Sequence, residues 1–311
     1  MRGTLCNKPG LEKTRGILRF KKSQNQIQFQ DMERAPPFRS RRENAYKIPP
    51  PTSPAGRLSK GDLMINYLCT VEILATFNQQ LFKVKNLLDR VYKDKDDLCT
   101  IYPSVSPKRD ARITAFHKVG SALCTFQLSL VFLTRHLFVK EWWQEISKGN
   151  MPDSSKITYI ERYIEFAKIG YIQIFFSAID SSFRLLLRNL DPTACRSGMA
   201  EFKSVCDCLL TSKLNFSIAD SQERLNLFRL LRNVIHNNGV FFNPKGEDVI
   251  IKLDGVTYEF KQGLPVNFVT IDFILEQSDA IRNILFNVMI APIFRNIQSE
   301  IFDPYFSNTN Q

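Results

Sequence analysis

Between residues 223 and 240 the chain reads Glu-Arg-Leu-Asn-Leu-Phe-Arg-Leu-Leu-Arg-Asn-Val-Ile-His-Asn-Asn-Gly-Val. This stretch holds the residue types best suited to chemistry on an anion. Wound as an α-helix with Arg232 at the origin, it puts Arg229, Asn233 and His236 at about 60°, 100° and 40°, so the four polar groups share one face. Leu227, Leu230, Leu231, Val234 and Ile235 fall largely on the other side. Asn237-Asn238-Gly239 reads as a helix stop, with Gly239 suited to a left-handed cap. His236 then occupies the last turn, where the helix dipole favours a protonated imidazole. Two guanidiniums and a titratable imidazole on one face can hold a phosphate and move a proton beside it, with Asn233 and Asn237 as supporting amides. The same pattern is also ordinary helix design, because basic residues near a helix C-terminus offset its dipole whatever else they do.

Other chemistries find little footing. The chain has three histidines, His117, His136 and His236, and the first two lie in apolar stretches of expected helix. No phosphate-binding glycine loop, zinc-protease motif or nucleophile elbow is present. Seven cysteines form an odd set without a C-x-x-C pair, and Cys206-Asp207-Cys208 lacks the nearby histidines a zinc site needs. No metal site and no cofactor are expected. Cysteines in apolar surroundings point to a reducing, cytoplasmic compartment.

The elements that must position the arginine–histidine face are helical. Residues 61–94 carry a stripe from Leu63 through Leu88, with Asp62 placed to cap it. A loop at 100–110 leads to a second long helix over 110–147. A third, over 156–189, is apolar nearly all round in its middle and is expected at the buried centre of a bundle. A shorter helix covers 193–212, and Asp220-Ser221-Gln222-Glu223 offers caps for the motif helix. Residues 247–253 and 256–261 flank Asp254-Gly255, a strong hairpin signal. A last helix spans about 268–302, kinked at Pro292. The expected fold is all-α, a bundle of about six helices with one small β-hairpin before the last.

Charge divides the chain. Of a net +11, residues 1–60 carry 14 Lys/Arg against 4 Asp/Glu, while the remainder is nearly neutral. This leading segment also holds 7 of the 15 prolines and reads as a disordered basic arm ahead of a helical body over 61–311. Such an arm would attract nucleic acid or an anionic surface, or serve only as a solubilising tail. The first 30 residues lack an apolar signal-peptide core. The most apolar windows, 169–179 and 284–294, are too short to cross a bilayer, so no membrane role is expected.

A bundle helix carrying Arg, a polar residue and a following His resembles the HEPN superfamily of higher eukaryote and prokaryote nucleotide-binding domains. The run Leu231-Arg232-Asn233-Val234-Ile235-His236-Asn237-Asn238-Gly239 carries the resemblance. The hairpin and Gly263-Leu264-Pro265-Val266-Asn267-Phe268 extend it over about residues 155–302. The family pattern places four to six residues between Arg and His. The chain departs from this pattern: Arg232 to His236 encloses three residues, one too few, and Arg229 to His236 encloses six, at the edge of the range, and both arginines are candidates. The resemblance implies a homodimer whose paired motifs cleave RNA without a metal, as a toxin or antiviral defence effector. His236 would transfer the proton and Arg229 or Arg232 would hold the phosphate. A cognate antitoxin or defence-complex protein is an implied partner. Other members bind nucleotides or proteins without catalysis. A helical scaffold whose arm binds nucleic acid is a third reading.

Overall fold

The computed structural model describes residues 71–148, 150–194, 201–216 and 220–307, all within the compact unit Gly56–Gln311. The basic arm, the expected cap at Asp62, and Cys6, Cys69 and Cys195 lie outside the described residues. The helices are α1 (Val71–Ile101), α2 (Ala111–Phe132), α3 (Lys140–Ser147), α4 (Asp153–Leu190), α5 (Phe202–Cys206), α6 (Ser221–His236), α7 (Ile271–Met289), α8 (Pro292–Arg295) and α9 (Pro304–Ser307). Two strands, β1 (Val249–Leu253) and β2 (Val256–Phe260), separate α6 from α7. The protein is an all-α bundle with a small hairpin before its last helices.

Spacing explains the packing. Val84, Leu87, Val91 and Leu98 are fully buried along one stripe of α1, the period that faces a helix to a core. Helix α2 packs between α1 and α4. A π-helical segment, Leu133–Leu137, follows it, and a break at Val139 starts α3. The single helix expected over 110–147 is therefore three pieces. Ala111–Leu137, rather than the shorter windows 169–179 and 284–294, is long and apolar enough to cross a bilayer, and 44% of its most apolar window is buried within the bundle.

Helix α4 touches α2, α5, α6 and α7. Phe175 and Phe183 are wholly buried, and the Tyr171 hydroxyl donates to Ser278 Oγ of α7 at 2.9 Å. It is not enclosed all round, however. Phe166 is 69% exposed, and Ile169 is exposed beside it, leaving one apolar strip facing outward.

The hairpin pairs Leu253 with Val256 and Val249 with Phe260. Asp254 and Gly255 both adopt positive φ, 51° and 76°, as a two-residue type I′ turn requires. Leu253, Ile251 and Phe260 face the core, and Arg224 of α6 ion-pairs with Asp254 at the tip while donating to Gln277 of α7.

The last helix is shorter than its sequence suggests. It stops at Met289, and Pro292 starts a new turn rather than kinking the old one, because proline has no N–H to continue the ladder. The chain then doubles back. Ala111 N–H donates to Ile301 O at 2.7 Å and Asp303 N–H to Arg109 O at 2.8 Å. A buried ion pair fastens this return. Arg112 and Asp110 side chains are both 0% exposed and meet at 2.7 Å. Arg112 Nε and Nη2 clasp the two carboxylate oxygens, and its remaining donors reach the carbonyls of Phe294, Ile297 and Ser299 at 2.8–3.0 Å. Every guanidinium N–H is thereby satisfied, which offsets the desolvation of the charge. Asp110 also caps α2 through Arg112 N–H.

Candidate functional site

Helix α6 begins at Ser221 with Asp220 at the N-cap position, but Asp220 has a left-handed backbone (φ 59°) and its side chain makes no capping bond. The apolar face lands as expected: Leu227, Leu230, Leu231 and Val234 are buried and Ile235 packs against the same core. Phe228 joins them, its ring 5.4 Å from Phe175 of α4. The helix ends in a Schellman motif. Gly239 N–H reaches Val234 O at 2.9 Å and Asn238 N–H reaches Ile235 O at 3.2 Å. Asn238, with φ 55°, takes the left-handed position expected of Gly239, and Gly239 follows with φ 84°. This stop presents His236 and Asn237 to solvent. The strand-like return at Val240 pairs with Pro265, so the loop before α7 braces the end of the motif helix.

The polar face then divides. His236 meets α4: Gln173 Nε2 lies 3.4 Å from His236 Nε2. With the amide donating, Nε2 is the bare ring nitrogen and the proton sits on Nδ1. Gln173 Oε1 is buried and has no hydrogen-bond partner among the described residues. Turning the amide over would place that oxygen against His236, where a protonated imidazole could donate to it. One glutamine can thus serve both protonation states of the ring.

Arg232, one turn before His236, also faces α4. Its guanidinium carbon lies 5.7 Å from the Phe176 ring centroid, and Nη1 is 3.4 Å from Asn233 Oδ1. Its Nε is buried without a hydrogen-bond partner, and no carboxylate pairs with it among the described residues. An arginine backed by an aromatic face and one side-chain amide retains donors for an anion.

Arg229 belongs to a different place. Its Nε and Nη2 both donate to Asn226 Oδ1, at 3.0 and 2.8 Å. It lines a cleft of about 200 Å3 with Phe202, Lys203, Cys206 and Gln222. Burial lowers the pKa of this guanidinium, against the opposing pull of Glu201 and Cys206. The same burial pushes the Cys206 thiol well above its usual range, helped by Asp207 and Asp180.

The site therefore gathers Arg232, Asn233 and His236 with two α4 residues, Gln173 and Phe176. Asn237 stands beside it through its backbone, accepting Val240 N–H at 3.1 Å. Gln173 and Phe176 were not legible from the motif; only their own i, i+3 spacing on α4 marks them as sharing a face. Asn226 could have been found, since it lies three residues before Arg229 on one helix. His117 and His136 sit elsewhere, edge-on to Phe306 and tilted against Phe132. Among the described residues, no group of three or more His, Cys, Asp or Glu is placed to hold a metal. The chain matches no family model, no curated protein and no solved structure.

Proposed function

We propose that the protein is a metal-independent RNA endonuclease of the HEPN type, working as a homodimer in the cytoplasm as a toxin or antiviral effector. The observation that carries this reading is Arg232, its fork without a carboxylate partner among the described residues, one helical turn before an exposed His236 whose Nε2 faces Gln173. Arg232 holds the non-bridging phosphate oxygens. The bare ring nitrogen of His236 takes the proton of a ribose 2′-hydroxyl. That oxygen attacks the adjacent phosphorus, the P–O5′ bond breaks, and the leaving oxygen takes a proton from the second copy's imidazolium, which becomes neutral. The products are a 2′,3′-cyclic phosphate and a 5′-hydroxyl. The exposed apolar strip of Phe166 and Ile169 on α4 lies next to Gln173 and supports a second copy at this face.

One observation favours a non-catalytic nucleotide- or protein-binding module instead. Arg229, the arginine at family spacing from His236, is turned to Asn226 and the α5 cleft. Incubating the full chain with an unstructured RNA in EDTA decides between the two. Cleavage to cyclic-phosphate ends, lost in His236→Ala with unchanged thermal stability, supports the endonuclease. Intact RNA together with a strict monomer on sedimentation at micromolar concentration leaves the binding module.

A further inference from the structure

A groove of about 620 Å3 runs between α2, α4 and the C-terminal return, within the size range of ligand sites. It is separate from the arginine–histidine face: Ile174, which lines it, follows Gln173 in sequence but points about 100° further round α4. Ile174, Ala178 and Leu185 form one wall, and Tyr305 and Phe306 form the other. Tyr305 is 69% exposed. His117 lies among these residues, edge-on to Phe306 at 5.2 Å. Burial, then Lys95, lowers its pKa, and its ring forms part of the floor.

Charge in the groove is one-sided. Lys118 is neutralised by Asp303, at 2.7 Å, and that carboxylate is itself buried and bonded to Thr114. Toward the end of α4, Arg184 binds Asp180 through Nε at 2.7 Å. Arg188 is exposed and has no ion pair among the described residues. One positive charge is therefore in surplus at this end, and Ser177 and Ser181 line the path toward it. From Ile174 to Arg188 the helix rises about 21 Å, with an apolar end and a cationic end.

We propose that this groove binds a small amphipathic anion, a carboxylate or phosphate monoester on an apolar body. The head rests on Arg188 and Arg184, and the body lies between Ile174 and the Tyr305 ring. A trough walled on both sides admits a single free molecule and not a bilayer surface.

Calorimetric titration of the full chain with decanoate and decyl phosphate, below their micellar concentrations, tests the site against decanol and decyltrimethylammonium. The expected result is one site per chain, each anion binding about tenfold or more tightly than decanol, the worth of a charge-assisted hydrogen bond. Arg184→Gln with Arg188→Gln should lower anion affinity about tenfold and leave decanol unchanged. Ile174→Glu, at an exposed position, should abolish both with an unchanged circular dichroism spectrum. Equal binding of decanol overturns the proposal. So does anion binding that ignores both variants, because the basic leading segment would then be the partner. Displacement by an equimolar short single-stranded RNA, or binding only to anionic vesicles, overturns it as well. None of these outcomes depends on RNA cleavage.

Discussion

Removing the guanidinium of Arg112 should be among the most damaging single changes in the bundle. In Arg112→Met the Asp110 carboxylate keeps only two donors, the N–H groups of residue 112 and Ile301. The carbonyls of Ile297 and Ser299 lose their Arg112 donor, and that of Phe294 keeps only backbone N–H donors such as that of Ile297. Both side chains are fully buried, so the stranded carboxylate is the dominant cost. Breaking a buried pair from one side costs about 3–5 kcal/mol. For a unit of this size that corresponds to a fall in Tm of roughly 6–20 °C. Arg112→Lys should recover less than half, because an ammonium with three donors cannot clasp two carboxylate oxygens and three carbonyls together. Asp110→Asn combined with Arg112→Met should cost less than the sum of the single changes, since no charge is then left unpaired. Urea unfolding followed by circular dichroism gives the loss, and hydrogen exchange should show residues 294–303 opening first. A loss below about 1 kcal/mol, or unchanged protection of that segment, would refute the assignment of the clasp as the fastening of the C-terminal return.

Three further outcomes follow from named contacts. Arg232→Ala should reduce RNA cleavage far more than Arg229→Ala, whereas Arg229→Ala should affect stability more, since it strips Asn226 of two hydrogen bonds; matched kinetics and melting curves separate the two. Cys206, its thiol held in the protonated form by burial, should resist iodoacetamide at pH 8 in the folded protein and react once urea is added, as read by mass spectrometry of its peptide. Asp272 is held below the usual carboxylate range by the hydrogen bond from Lys83, partly opposed by burial. A depressed folded pKa contributes stability above the unfolded value, near pH 4, and loses it as pH falls through the folded value. Lys83→Met should therefore cost less than about 1 kcal/mol at neutral pH, because the pair is exposed, and the gap to the parent protein should close on acidification; a gap that widens toward pH 3 would reverse the sign of the argument.

Local chemistry was readable from residues alone. Asp254-Gly255 between two β-prone runs dictated its hairpin, because only residues tolerant of positive φ make that turn. The stripes of α1 and α6 placed their buried faces through the 3.6-residue period, and the Asn-Asn-Gly stop followed from the left-handed cap. The period also grouped Arg229, Arg232, Asn233 and His236, but a helical wheel gives only the direction in which a side chain leaves its axis. Whether two neighbours on one face share a site depends on what packs opposite. Gln173 and Phe176 of α4 face Arg232 and His236, while Asn226 and α5 take Arg229 away, and those partners lie as much as 63 residues distant in sequence. The Asp110–Arg112 clasp was hidden for the same reason. Asp110 closes the loop at 100–110 and Arg112 opens the helix after it, so the sequence shows no pairing, and only the return of residues 294–303 makes them a buried, fully bonded pair. Propensity and spacing act within a turn or two, whereas burial and charge pairing are set by chain segments that meet only once the bundle has closed.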